Sequence, residues 1–366
     1  MADPTTSSNA APVASADMDG DAAEEAKNDA QSAAQLSEFL RRYHPPAANA
    51  NRDVLQERYR IEFATPLPEF DSKTARAYAA SDLAEPSRPL VAQVCQAGSI
   101  QRHRTIGLLK SVSHASIIPL VASGTVGISR PEEERFVIFY ERPSGRKLSQ
   151  LMMQNNQQIT EYFLCSRIIA PLASAIQQFS DLDTAHGLIN PDNVYFSDIA
   201  MLGPCVSEPC GYSQPFYFEP LERIQTMPAG KGEGSTAHDY YALAVLVLYM
   251  MNGADYFARF TPDSLAQAIL REGVYTALTR QKETSEMFYD FFRGMLSQNA
   301  DDRWNYRHIK PWLDGKRYNV LTPPSPVEAI RPFEFDGELA NTRRERNRRT
   351  FRMFLFGGSA QYRRLP

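Results

Sequence analysis

From Leu90 to Leu313 the apolar positions change period along the chain. Short runs rich in β-branched residues come first, and three-and-four spacing takes over later. Leu90–Cys95 reads as a strand, and Gln101–Ser113 as a helix with Ile106, Leu109 and Val112 on one face. Two further strand runs follow, Ile117–Val121 and Phe136–Tyr140, the second bounded by Glu134–Arg135 and by Pro143. Beyond them, Tyr162–Phe179 sets Ile168, Leu172, Ala175, Ile176 and Phe179 at helical intervals. Tyr240–Met251 is apolar all round, which predicts a helix enclosed on every side. Ser285–Leu296 and Asp302–Leu313 close the series. Strands first and helices second predict a segregated α+β architecture, with a small sheet lobe and a larger helical lobe.

Composition adds bounds. Of 366 residues, 43% are apolar, enough to bury a core. The longest apolar run is too short to span a bilayer, and the start lacks the pattern of a secretory signal, so no transmembrane segment and a cytoplasmic location are expected. Four cysteines are too few for a disulfide scaffold, and Cys205 and Cys210, spaced C-x4-C, lack the second pair that a metal site needs. Residues 1–36 hold seven acids against Lys27 and almost nothing to bury, which predicts a disordered acidic arm. Residues 37–58 read as a linker or helical extension. In the extension 316–366, Arg343 to Arg352 form a basic cluster beside Phe351, Phe354 and Phe356. Three readings stand for that cluster: weak contact with an anionic surface such as lipid or RNA, an unstructured tail, and an altered C-terminus. The net charge of −4 argues against a chain that coats nucleic acid.

Several motifs then fall in a telling order. His186-Gly187-Leu188-Ile189-Asn190-Pro191-Asp192-Asn193 has the shape of the catalytic loop H-R-D-L-K-P-x-N. Val91-Ala92-Gln93-Val94 stands where V-A-I-K would, and His114-Ala115-Ser116-Ile117 resembles H-P-N-I. Tyr140-Glu141 and Gly145-Arg146-Lys147-Leu148 resemble a hinge and the step after it. Phe218-Glu219-Pro220-Leu221-Glu222-Arg223 resembles the A-P-E end of an activation segment, Asp239–Ala244 the start of a central helix, and Asp302-Arg303-Trp304 a late D-x-R. Together, over about Tyr59 to Leu313, they resemble the protein kinase-like superfamily, in a degenerate form closer to its bacterial members. The resemblance implies a bilobal fold divided at 59–142 and 143–315. It also implies structural roles: His186 as a scaffold histidine, Asp239 holding the loop backbone, and Glu222 paired with Arg303.

Phosphoryl transfer depends on positioning and charge neutralisation, and the residues for it are missing. The span Tyr59–Tyr78, where a glycine-rich loop belongs, has no glycine. By the resemblance, Val94 replaces the strand lysine, Thr105 the helix glutamate, Leu188 the catalytic aspartate, Asn190 the loop lysine and Pro204 the magnesium-binding aspartate. Only Asn193, a second-metal ligand in the family, is kept. At the remnant hinge of Tyr140 and Glu141, Pro143 lacks the N–H that would meet adenine. One lost charged contact costs about 3–4 kcal/mol in such a site, so losing three leaves no useful rate. Lys73 and Lys110 are the nearest substitute lysines, and Asp183, Asp192 and Asp198 the nearest acids. None restores base and metal together, so the cleft is expected to be short of ionised groups.

The reading is therefore a pseudokinase: a catalytically deficient protein-interaction or allosteric module, without cofactor or metal, that works on an unidentified protein partner. The short, rigid Pro209–Pro220 segment suits a fixed surface for that partner. Two alternatives stand beside it: an active Ser/Thr protein kinase using ATP, magnesium and relocated residues, and a sensor that binds nucleotide or another small ligand without turnover.

Overall fold

The computed structural model describes residues 53–128, 133–154, 159–227, 230–279 and 285–318. The acidic arm and the Arg343–Arg352 cluster lie outside the described residues. The strands are β1 (Val54–Leu55), β2 (Tyr59–Pro66), β3 (Ala75–Asp82), β4 (Pro89–Cys95), β5 (Leu120–Ile128) and β6 (Glu133–Glu141). They form one sheet in the order β1-β2-β3-β4-β6-β5, with every pairing antiparallel. β1 falls inside the segment 37–58 expected to be a linker. It belongs to the sheet because Val54 and Leu55 pair with Arg60 and Tyr59, and Leu55 is buried.

β4 explains much of the arrangement. Nearly every residue in it is apolar, as a strand covered on both faces requires. Successive side chains alternate, so Val91 and Cys95 join the core shared with the helices, while Leu90, Ala92 and Val94 join a second cluster with Ile61, Val137 and Phe139. By the same alternation Gln93 lies on the face of Val91, toward the helices.

Helices dominate the rest, giving a mixed α and β chain in which the large sheet precedes most of the helical part, as an α+β reading requires. α1 (His103–Leu109) is shorter than the Gln101–Ser113 pattern and is the one α-helix between strands of the large sheet among the described residues. A small sheet of β7 (Arg146–Lys147), β8 (Val194–Phe196) and β9 (Ala200–Leu202) is joined to the segment before β5 by a bridge between Ile117 and Leu202. α2 (Leu148–Gln154) follows β7. The expected Tyr162–Phe179 helix is a turn (Glu161–Phe163), a π-helical stretch (Leu164–Ile169) and α3 (Ala170–Asp181). Pro171 accounts for the π stretch: it has no N–H to continue an α ladder, and Ala170 N–H bonds back to the Cys165 carbonyl instead.

α4 (Leu221–Ile224) leads to α5 (Thr236–Asn252), the expected apolar helix, in which residues 239–250 are all buried. α6 (Ala254–Ala258), α7 (Pro262–Glu272) and α8 (Val274–Thr279) follow, then α9 (Glu286–Met295) and α10 (Tyr306–Leu313). Among the described residues no helix is long and apolar enough to cross a membrane.

α9 packs so closely on the Asp302–Trp304 turn that a Cβ on Gly294 would lie 2.2 Å from the Trp304 indole. Backbone seals the contact, since Trp304 N–H donates to the Gly294 carbonyl at 2.9 Å. The ring has little room to yield, being 6% exposed and packed on Tyr318. Gly294→Ala is therefore expected to destabilise the fold by about 1–3 kcal/mol, read as a lower urea midpoint with an unchanged slope.

Candidate functional site

The backbone of residues 185–187 is gripped from two sides. Asp239, in the first turn of α5, accepts the His186 N–H and the Gly187 N–H at 2.7 Å each. Arg102, just before α1, donates to the carbonyls of His186 (2.9 Å), Ala185 and Cys205 (3.3 Å). Both side chains are buried, at 1% and 6% exposure. Burial pushes the Asp239 carboxyl up to about 6, with the two N–H donors and Arg102 pulling the other way. His186 lies between them, buried. Its Nδ1 accepts the Leu188 N–H at 3.2 Å, which leaves Nε2–H to donate to the Gly203 carbonyl at 3.0 Å. Desolvation lowers this imidazole to about 3, so it is a neutral strut.

Beside this loop is a cavity of about 320 Å³ lined by the large sheet, the small sheet and the loops around them. Leu188, Asn190, Asn193 and Pro204 line it from one side and Gln93 from the sheet. Asn193 is committed to backbone, donating from Nδ2 to the carbonyls of Leu188 (2.9 Å) and Pro204 (3.0 Å). Asn190 donates to Gln214 at 3.1 Å and accepts the Asp192 N–H at 3.0 Å.

The segment between β2 and β3 folds down into this space. A 3-10 turn, Pro68–Phe70, drives Phe70 against Tyr195 of β8, with ring centroids 5.7 Å apart and planes 15° from parallel. Gln93 Nε2 holds the Phe70 carbonyl at 2.9 Å. Asp71 accepts the Ala77 N–H at 2.7 Å and pairs with Arg76 at 2.5 Å. Thr74 Oγ1 donates to the Ser207 carbonyl at 2.8 Å, and Ser207 Oγ donates to Ser72 Oγ at 3.2 Å. Arg142 closes the outer side, pairing with Glu69 at 3.6 Å and lying over the Phe70 ring.

The structure changes two expectations. Val94 does not face the cavity. It sits in the opposite cluster, and Gln93, one residue earlier, takes the inward position because side chains alternate along β4. The cavity is also not short of ionised groups: Asp71, Asp192, Glu208, Lys73 and Lys147 line it. Asp192 comes from the loop before β8, and the others from the 67–74 segment, β7 and the Pro204–Pro215 stretch, elements whose approach no local pattern announces. Still, among the described residues no three His, Cys, Asp or Glu side chains are grouped as a metal site.

The remaining candidates are spread. Thr105 is buried on α1, 3.1 Å from the Thr184 hydroxyl. Tyr140 is buried, and burial pushes its hydroxyl well above its usual range. Glu141 N–H goes to the Pro119 carbonyl and Arg142 N–H to Pro89, each at 3.0 Å, so with Pro143 no N–H of residues 141–143 is free. Arg88 holds the Glu141 carboxylate. Of the substitutes weighed, Lys73 and Asp192 reach the cavity, while Lys110, Asp183 and Asp198 are exposed away from it.

Glu222 stands 3.9 Å from Arg303, whose guanidinium is spent mainly on the carbonyls of Ser297 and Ala237. The more deeply buried ion cluster is Glu219 with Arg223 (3.5 Å) and Lys231, which the sequence reading missed. Cys205 and Cys210 are free and buried, and burial raises their thiols to about 12 and about 11.

No model of a known protein family and no curated protein sequence matches this chain.

Two outcomes follow from this geometry. Arg102→Met strands the carbonyls of Ala185, His186 and Cys205 beside a buried Asp239 and is expected to cost about 3–5 kcal/mol, as for one half of a buried charged pair, measured by urea unfolding. The His186 imidazole has a folded value below its unfolded one. Its stabilising share is therefore complete above about pH 6.5 and is lost as pH falls toward 3. Nitrogen NMR should find the neutral Nε2–H tautomer still present at pH 5, and titration near 6.5 would contradict the assignment.

Proposed function

We propose that the chain is a kinase-like module that has lost phosphoryl transfer and acts by contact with a protein partner. The observation that carries the reading is the convergence of Leu188, Pro204 and Gln93 on one cavity. These stand where the chemistry needs a proton acceptor, a metal carboxylate and a cation, and none of the three is ionised. The scaffold supports the kinase-like half of the proposal. The strands that follow β1 run in the order β2-β3-β4-β6-β5, with α1 between β4 and β5 in sequence, and the Asp239 carboxylate carries the loop amides. A small sheet-rich lobe over a larger helical lobe is the bilobal form this implies.

Adenine has no place in this account. The ring position over Tyr195 is filled by Phe70, and the N–H groups of residues 141–143 are used or absent. The charged residues around the cavity do not rebuild a catalytic set, because Asp71 is neutralised by Arg76 and Glu208 is bonded to Ser213 at 2.8 Å. The Pro209–Pro220 stretch, pinned by Glu219, Arg223 and Lys231, supports a fixed docking surface.

A thermal-shift series with ATP and ADP, with and without magnesium, tests this. The expected result is no shift in any arm and no magnesium-dependent ATP turnover. A shift that needs magnesium, lost in Asn193→Ala, would favour an active kinase, and one independent of magnesium a nucleotide sensor.

A further inference from the structure

Lys147 is the one lysine among the described residues that is neither exposed nor ion-paired. Lys73, Lys110, Lys310 and Lys316 are exposed, and Lys231 is bonded to Glu219. Lys147 stands in β7 opposite Tyr195 of β8, half-buried, and lines the cavity of about 320 Å³. The carboxylates that act on it electrostatically are those of Asp192, Glu69 and Asp71, and none of them forms an ion pair with it. Glu69 is engaged by Arg142 at 3.6 Å, and Asp71 by Arg76 and the Ala77 N–H. Asp192 is exposed and makes no ion pair with a described residue.

An ammonium partly withdrawn from water, with no counter-ion against it, is poorly stabilised. Burial accordingly holds this one below its usual range, although the three acids pull the other way. The balance favours the free amine, whose lone pair is a nucleophile. Leu188, Tyr195 and Pro204 give the space apolar walls, and its volume is at the lower end of small-molecule sites.

We propose that Lys147 captures a small carbonyl compound, an aldehyde or a 2-oxo acid, as an imine in this cavity. The Nζ lone pair attacks the carbonyl carbon, and the π pair of C=O moves to oxygen. Nζ gives up its two protons, the former carbonyl oxygen gains two and leaves as water, and C=N replaces C=O. Nothing is oxidised or reduced. Asp192, which acts on Lys147 most strongly of the three acids, is the carboxylate to relay those protons. The inference goes beyond the proposed loss of phosphoryl transfer and does not depend on it. The rival explanation is an ordinary lysine that buries its stem and keeps its head in water.

Reductive labelling of the full chain tests the proposal. Propanal and pyruvate are supplied separately at limiting concentration, with sodium cyanoborohydride to convert any imine into a stable secondary amine. Peptide mass spectrometry then reads the rate at each lysine. Lys147 is expected to label about tenfold or more faster than Lys110 and Lys310 on the same chain. Preference for propanal assigns neutral aldehydes, and preference for pyruvate assigns 2-oxo acids. Lys147→Arg should lose this label alone and melt like the parent. The comparison among lysines of the parent chain needs no variant, so it decides the matter even where Lys147→Arg melts early. Labelling of Lys147 no faster than Lys110 by both reagents overturns the proposal. So does fast labelling that is unchanged in Leu188→Phe, which narrows the cavity, because the reaction would then take place outside it. Failure here leaves the ATP series untouched, since that series reads nucleotide binding and this one amine reactivity.

Discussion

A single stretch of peptide, Ala185 to Gly187, is held by two buried charges of opposite sign. Asp239 takes its amides and Arg102 its carbonyls. Either ion alone would be expensive in so dry a place, but each finds backbone dipoles of the right sign and the field of the other. The arrangement joins three parts of the chain: the approach to α1, the loop before β8, and the N-terminus of α5. It also dictates its neighbours. Gly187 has φ +74°, and a Cβ there would lie 2.2 Å from the Cys210 sulfur, so the turn between the two grips has room only for glycine. His186 is left with one donor and one acceptor, both satisfied, in a site that excludes its charge.

The most deeply held charges near the loop are of one kind. Asp239, Arg102, Glu219, Arg223 and Lys231 have partners inside the fold and stabilise it whether or not anything is bound. A group kept for phosphoryl transfer is different: without ligand it is a repelled or poorly solvated ion, tolerated only for what it does. On the proposed reading Leu188, Pro204 and Gln93 carry no such burden, and Asn193 ties the loop through the carbonyls of Leu188 and Pro204. That reading is coherent because chemistry and architecture would fall to different residues.

How much of this was legible in the sequence varies with the range of the interaction. The all-apolar Tyr240–Met251 run and the β4 run were readable because burial on every side needs no partner to be named. The grip of Asp239 on the loop came from the resemblance, through motif order. Gln93 was mistaken for a neighbour of the inward position because a strand otherwise apolar gives no alternation by which to fix its faces, and a slip of one residue reverses them. Arg102 and Phe70 were missed for another reason. Each is unremarkable locally and acquires its role from residues far along the chain, Arg102 from the carbonyls of Ala185, His186 and Cys205 and the Thr184 hydroxyl, and Phe70 from Tyr195.

The Gln93 amide bears on what the cavity can admit. Its nitrogen donates to the Phe70 carbonyl and so keeps the ring on Tyr195. A flat heterocycle seeking the Tyr195 face must expel Phe70. That would break the Gln93 bond and pull on Asp71, Ser72 and Thr74, which are tied to Arg76, Ala77 and Ser207. The same side chain thus closes the space over Tyr195 to flat rings by keeping Phe70 in place.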